Sequence, residues 1–375
     1  MTQRTQPRAQ AGAWLLLPLL CLLPLLLLAA PAQADFDQTF SFDADSLVLT
    51  DLIGAIQVQG HDGPNFEVAV HGRGRDASRD QLKLRTREGR EAELAVEFPV
   101  KRTKKYVYPE MGRGSNTSIS LPLEKQDGAG GLIEAIFEGL AGERVDVRGS
   151  GSGAEMWADV TVRVPRGKAL KVVIGVGHIA ASEARADLNL STHSGRVELS
   201  ALEGDLTVDT GSGRITGSNL HGKLHLDTGS GSVELASCAG PSVYVDTGSG
   251  SVHLSDVDTK NLHVDTGSGR VEATQVAADE ANVDTGSGSV ELELVRMGGG
   301  PYRVDTGSGS ATLHLPATAS ATVHADSGSG GIKVELEGVE MLHKERDEVR
   351  FRVGSGEAKV EIDTGSGGIH ILPTR

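Results

Sequence analysis

The chain has 375 residues, 38% of them apolar and only 3% aromatic, with 49 glycines and a formal net charge of −15. An acidic balance of this size disfavours nucleic acid and anionic lipid as partners, and the few aromatic residues leave little stacking surface for sugars. Two cysteines, Cys21 and Cys238, exclude a disulfide-stapled scaffold.

Arg4 and Arg8 precede an apolar run from Trp14 to Ala30, and Ala32-Gln33-Ala34 follows it. A charged start, a leucine-rich middle and an Ala-x-Ala site predict a secretory signal peptide over 1–34, cleaved after Ala34. Pro18 and Pro24 argue against a lasting membrane helix, and Leu20 before Cys21 argues against a lipid anchor. Cleavage would remove two arginines and no acid, taking the charge from −15 to −17 and leaving Cys238 alone as a small core residue. No second apolar run follows, so the mature chain is expected to be exported to the periplasm, the cell surface or the medium, with no transmembrane segment.

Between 35 and 98, alternating stretches such as Phe40-Ser41-Phe42, Leu47-Val48-Leu49, Ile56-Gln57-Val58 and Val68-Ala69-Val70 predict N-terminal β-strand coils. The pattern breaks over 99–157. There Lys101, Arg102, Lys104 and Lys105 meet Tyr106 and Tyr108, and a short helical candidate surrounds Leu132-Ile133 and Ile136-Phe137. This stretch is read as an insertion or cap, since the open end of a stacked sheet needs cover. From 158 to 375 regular coils return.

Asp-Thr-Gly-Ser-Gly starts at Asp209, Asp227, Asp246, Asp265, Asp284, Asp305 and Asp363, and Asp-Ser-Gly-Ser-Gly at Asp326. The first six intervals are 18, 19, 19, 19, 21 and 21 residues, too short for a unit that closes its own core. Apolar residues stand one and three positions before each Asp, as in Val208 and Leu206, and alternation resumes after the second Gly, as in Val233 and Leu235. Identical corners at constant spacing favour one coil of a parallel β-helix over a hairpin. Length changes fall on a second, variable corner. Glu337 to Arg352 is a charged excursion expected to close the far end before a last coil through Ile371.

Stacking would place the Asp carboxylates about 4.8 Å apart, a repulsion of about 1 kcal/mol per neighbour in water and about 3.5 kcal/mol at an effective dielectric near 20. Hydrogen bonds from each Asp's own turn are the expected compensation. Calcium bridging Asp209, Asp227, Asp246, Asp265, Asp284, Asp305 and Asp326 is the alternative, although no Gly-Gly-x-Gly-x-Asp repeat supports it.

Three motifs mislead. Asp-Thr-Gly-Ser imitates the active-site motif of an aspartic protease, but tandem copies at this spacing cannot face each other across a cleft. Gly175-Val176-Gly177 imitates a dinucleotide turn, yet the chain returns to coil register at Ser194-Gly195. The column two before each Asp holds His225, His263 and His324 on non-adjacent coils, which does not assemble a zinc site.

The chain resembles the bacterial "putative adhesin" family with β-strand repeats, an exported domain of unknown function. The likeness rests on Gly54-Ala55-Ile56-Gln57-Val58, on Val162-Arg163-Val164-Pro165-Arg166-Gly167, on the repeated unit and on Gly356-Glu357-Ala358-Lys359-Val360-Glu361-Ile362-Asp363. It implies an all-β, right-handed parallel β-helix (β-solenoid) and a non-enzymatic adhesin or scaffold that binds a cell-envelope or surface component, protein or polysaccharide, with no cofactor and no catalytic residue to carry over. The insertion at 99–157 departs from the simple pattern. A β-helix enzyme acting on acidic polysaccharide is the rival, and it would need an unlike cluster of acids and bases, which coils 209–313 lack.

Overall fold

The computed structural model describes residues 36–120 and 142–374. The signal-peptide segment and the helical candidate at 132–137 lie outside those residues. Among the described residues no helix is long and apolar enough to cross a membrane.

Alternation around each repeat folds into stacked coils, and the protein is a parallel β-solenoid. Strand Leu206–Ser212 pairs in parallel with Leu224–Thr228, which pairs with the second half of Val233–Thr247. The register continues through Val252–Thr266 and Val271–Thr285. Hairpins are thereby excluded for these units. Inward positions such as Val208, Leu226, Val245, Val264 and Val283 are fully buried, and each contributes about 1.5–3 kcal/mol of burial.

Two columns make the repeated corner physically obligatory. The first is the threonine after each Asp, which points inward. Thr266 Oγ1 donates to the Gly250 carbonyl of the preceding coil and accepts the Gly269 N–H of its own turn, both at 3.0 Å. Thr247 and Thr285 repeat the pair. The second is the glycine that ends each repeat. A Cβ there would overlap the carbonyl oxygen of the equivalent glycine one coil before, in an unbroken series that starts on the Gly54 carbonyl and runs through Gly177, Gly195, Gly213, Gly231, Gly250, Gly269, Gly288 and Gly309.

A second bend follows each post-corner strand. There Glu183, Ala201, Asn219, Ser237, Asp256 and Gln275 all adopt φ between 52° and 56°. Left-handed backbone costs a non-glycine residue about 1–2 kcal/mol. It is held because the next residue in each coil, Ala184, Leu202, Leu220, Cys238, Val257 or Val276, turns into the core. Cys238 thus sits between Leu220 and Val257 as a small apolar residue, and burial pushes its thiol up to about 11.

Spatial order departs from chain order at both ends. Strand Ser46–His61 lies between Ala169–Ser182 on one side and Glu91–Glu97 with Trp157–Pro165 on the other. At the far end, Ala358–Thr364 and Ile369–Pro373 slot between the coil of Pro301–Thr306 and Ala311–Leu315 and the coil of Ala321–Ser327 and Ile332–Val334. The coil that is last in sequence is therefore not last in the stack. An antiparallel hairpin, Glu340–Lys344 with Glu348–Val353, continues the sheet outward from Ala321–Ser327.

The N-terminal expectation needs a correction. Only Ser46–His61 among the early strands forms a full coil. Phe36–Phe42 pairs antiparallel with Phe66–Arg73, which pairs antiparallel with Trp157–Pro165, so alternation there marks half-buried strands of a flanking sheet. Period-two patterning reports burial and is blind to strand direction.

The excursion after Glu91–Glu97 returns at Trp157–Pro165. Because these strands align with the two halves of Ser46–His61, it leaves the stack at the corner that Gly-Ser-Gly occupies elsewhere. Within it, Asn116–Ser120, Arg144–Arg148, Lys105–Val107 and Ala154–Glu155 form a separate four-stranded sheet. Tyr106, Ile119, Val145 and Val147 are buried in the common core, with Tyr106 edge-on to Phe98 at 5.7 Å.

Candidate functional site

The Asp column forms as a true ladder, in the order Asp209, Asp227, Asp246, Asp265, Asp284, Asp305, Asp363 and Asp326. In the turns after Asp227, Asp246, Asp265, Asp284, Asp305 and Asp363, the N–H of the last glycine donates to the threonine hydroxyl one position past the Asp. Partial burial and neighbouring carboxylates push the acids of Asp227, Asp284 and Asp363 up. Arg303, at 3.1 Å from Asp305, supplies local counter-charge.

Among the described residues, no group of three or more His, Cys, Asp or Glu side chains is placed to hold a metal ion. Melting curves recorded with added calcium and with a chelator are therefore expected to coincide. A shift of several degrees would restore calcium bridging of the ladder.

Beside the ladder, His225, Tyr244 and His263 stack face to face at 4.5 and 4.6 Å. Asn282 Nδ2 lies 3.1 Å from His263 Nδ1 and continues the column. Stacking in register makes this arrangement and gives the histidines no common ligand.

Unlike residues converge at another place, under the insertion. A cleft of about 780 Å³ opens between the glycine corners of the early coils and the small sheet. The coils present Gly177, Gly195 and Gly213 with His178, Arg196 and Arg214, and Trp157 and Asp159 on the coil stacked before Ala55, while the insertion contributes Tyr108, Glu110 and Asn116. Trp157 and Tyr108 pack with ring centroids 5.7 Å apart. Asp159 accepts the Ala55 N–H at 3.1 Å, and burial pushes its acid up despite that bond and one from the Trp157 side chain. Burial, with the nearby carboxylates of Asp159 and Glu110, pushes the Tyr108 phenol far above its usual range.

Below the cleft, Asp51 occupies the inward column that threonine fills later, in register with Ile174, Thr192 and Thr210. One carboxylate oxygen accepts the Leu52 N–H at 2.7 Å, and the other is buried without a partner. Burial raises its acid well above the ordinary value, against the help of the Leu52 and Ile53 amides.

The folded state keeps a proton on Asp51 that the unfolded chain releases near pH 4, so the contribution is full below that pH and is lost as pH rises towards the folded value. Asp51→Asn retains an acceptor for Leu52 and cannot ionise. Its melting temperature is expected to exceed the wild type's at pH 8 by more than at pH 5, in thermal denaturation followed by circular dichroism. Parallel pH profiles for the two proteins would overturn this assignment.

Sequence reasoning did not find the cleft. Its residues come from 73, 108–117, 157–159 and the corners up to Arg214, and only the out-of-order stacking brings them together. The one available signal was the basic residue after the corner glycine in successive coils.

The sequence model of the Toastrack DUF4097 family matches residues 80–372. The chain belongs to the Toastrack DUF4097 family. That span includes the whole insertion over 99–157 and every Asp-Thr-Gly-Ser-Gly coil, so in this Toastrack protein the excursion belongs to the matched region. Two solved structures align with 91% of this chain and 99% of their own at 10% identity: a putative cell adhesion protein from Clostridium sporogenes, with a TM-score of 0.19, and a putative adhesin from Bacteroides fragilis, with a TM-score of 0.34. At such scores their names say nothing about the role of this chain. No curated protein matches the sequence.

Proposed function

We propose that this Toastrack protein is an exported, non-enzymatic binding or scaffolding protein of the cell envelope, adhesin-like in role, built on the domain plan read from the sequence: signal peptide, N-terminal strands, insertion and solenoid. One observation carries the reading. A cleft that joins the insertion to the coils is walled by aromatic, basic and amide side chains, while burial raises the acid of Asp159 and the phenol of Tyr108 above their ordinary values. Such a lining suits recognition.

The rival, a polysaccharide-cleaving β-helix enzyme, needs an ionised general base. The Tyr108 hydroxyl is shifted the opposite way, and Asp159 is committed to the Ala55 amide and to Trp157. A paired carboxylate arrangement would have to join Glu110 to Asp159, whose carboxylate already accepts the Ala55 amide.

Cosedimentation tests the proposal. Labelled mature chain should bind purified envelope material saturably and be displaced by excess unlabelled protein. Retention no greater than that of an unrelated acidic protein would sink it. Excising 99–157 is not a usable control, because Tyr106, Ile119, Val145 and Val147 of that segment are buried in the shared core.

A further inference from the structure

The mature protein is strongly acidic, yet the cleft is lined by Arg73, Arg196, Arg214 and His178 against two carboxyl groups, Glu110 and Asp159. His178, Arg196 and Arg214 occupy one corner position on three successive coils. The Ile179 N–H donates to the Arg196 carbonyl at 3.0 Å and the Val197 N–H to the Arg214 carbonyl at 2.9 Å, which fixes their register. Coil spacing then holds the basic side chains about 4.8 Å apart at their roots. Beyond the cleft the same position holds Ser232 and Ser251 before Arg270.

The stacked guanidinium groups of Arg196 and Arg214 repel, and more strongly where protein walls lower the dielectric. Each arginine is only partly compensated. Arg196 Nε meets Glu198 at 2.7 Å and a terminal nitrogen of Arg214 meets Glu234 at 3.4 Å, with both guanidinium side chains 60% exposed. The remaining N–H groups suit a planar carboxylate, which guanidinium binds in a two-pronged geometry that an ammonium cannot offer. At the near end of the same corner stack stands the indole of Trp157, packed against Tyr108, and the Asn116 amide lines the cleft from the insertion. An aromatic face accepts the C–H face of a sugar ring, and amide groups accept its hydroxyls.

We propose that the cleft binds a uronate-type residue of an acidic polysaccharide, with Arg196 and Arg214 taking the carboxylate and Trp157 the ring face. This rests on the binding role proposed above and names its ligand class. The coil corners run along the solenoid axis, so a linear polymer can lie across them while one acidic unit enters under the insertion. The chain itself remains uncleaved.

The test titrates the mature chain calorimetrically with oligomers of galacturonate, of mannuronate and guluronate, and of glucuronate-containing glycan, each against its carboxyl-reduced counterpart. Wild type should bind at least one acidic oligomer and lose it on reduction. Arg196→Ala with Arg214→Ala should weaken that binding at least tenfold without lowering the melting temperature, and Trp157→Ala should weaken it further. Arg270→Ala, in the same column but outside the cleft, should leave it unchanged.

Binding to none of the acidic oligomers, equal binding to the reduced ones, or indifference to the double substitution would overturn the proposal. Equal competition by inorganic phosphate would reduce the site to a general anion site and overturn its sugar component, and release of unsaturated uronate would show a lyase instead. Saturable envelope binding that survives the double substitution would leave the broader role standing while this assignment fell. Loss of envelope binding in the wild type would remove both.

Discussion

Gly269→Ala is expected to destabilise the solenoid by about 3 kcal/mol or more, because the added methyl has no space that side-chain motion could open. The atom it meets is the backbone carbonyl oxygen of Gly250, which is fixed by the coil beneath and accepts from the Thr266 hydroxyl at 3.0 Å. Relief requires the two coils to part, which also breaks the parallel ladder that runs from Val252 to Thr266. Gly299→Ala is the control, since nothing lies within 4 Å of a Cβ at that position. Chemical denaturation should separate the two variants by the full penalty. Equal midpoints would show that the corner glycines are not packing-limited.

Ending the chain after Gly356 is expected to unravel the far end of the stack. Val360, Ile362, Ile369 and Ile371 are fully buried, and losing their burial removes on the order of 10 kcal/mol of local stabilisation. Their coil is the layer between Pro301–Thr306 and Ala321–Ser327, so the truncation leaves two facing parallel edges with no partner. Solenoid stability is a sum over neighbouring interfaces, and coils nearer the N-terminus should therefore survive. Limited proteolysis should cut beyond Leu315 in the shortened protein, and gel filtration should show association through the exposed edges. Unchanged protease resistance would contradict the stacking order.

That stacking order also bears on folding. Ser46–His61 must wait for Ala169–Ser182, and Ala321–Ser327 for Ala358–Thr364, before either is paired in parallel on its inner side. Non-local pairings of this kind close slowly, whereas coils Asp209 to Asp305 add in chain order.

The repeat was legible in the sequence because coil-on-coil stacking enforces one residue type per column. Inward Val and Leu, the threonine and the terminal glycine each answer a constraint met identically on every coil, so the motif recurs verbatim. The carboxylate of the same motif was legible in position, and the turn is closed by the threonine hydroxyl, a group whose inward direction follows from strand alternation. The left-handed bend escaped notice because Glu183, Ala201, Asn219, Ser237, Asp256 and Gln275 share a backbone shape and no chemistry.

Composition, period and corner chemistry by themselves determined a parallel all-β solenoid, its coil length and which side chains fill it, because those depend only on contacts between adjacent, nearly identical units. Tertiary structure alone decided the antiparallel flanking strands, the displaced coils at both ends and the cleft that joins Trp157 to Arg196 and Arg214. Those arise where unlike segments far apart in the chain meet, and alternation records whether a strand is buried without recording which neighbour buries it.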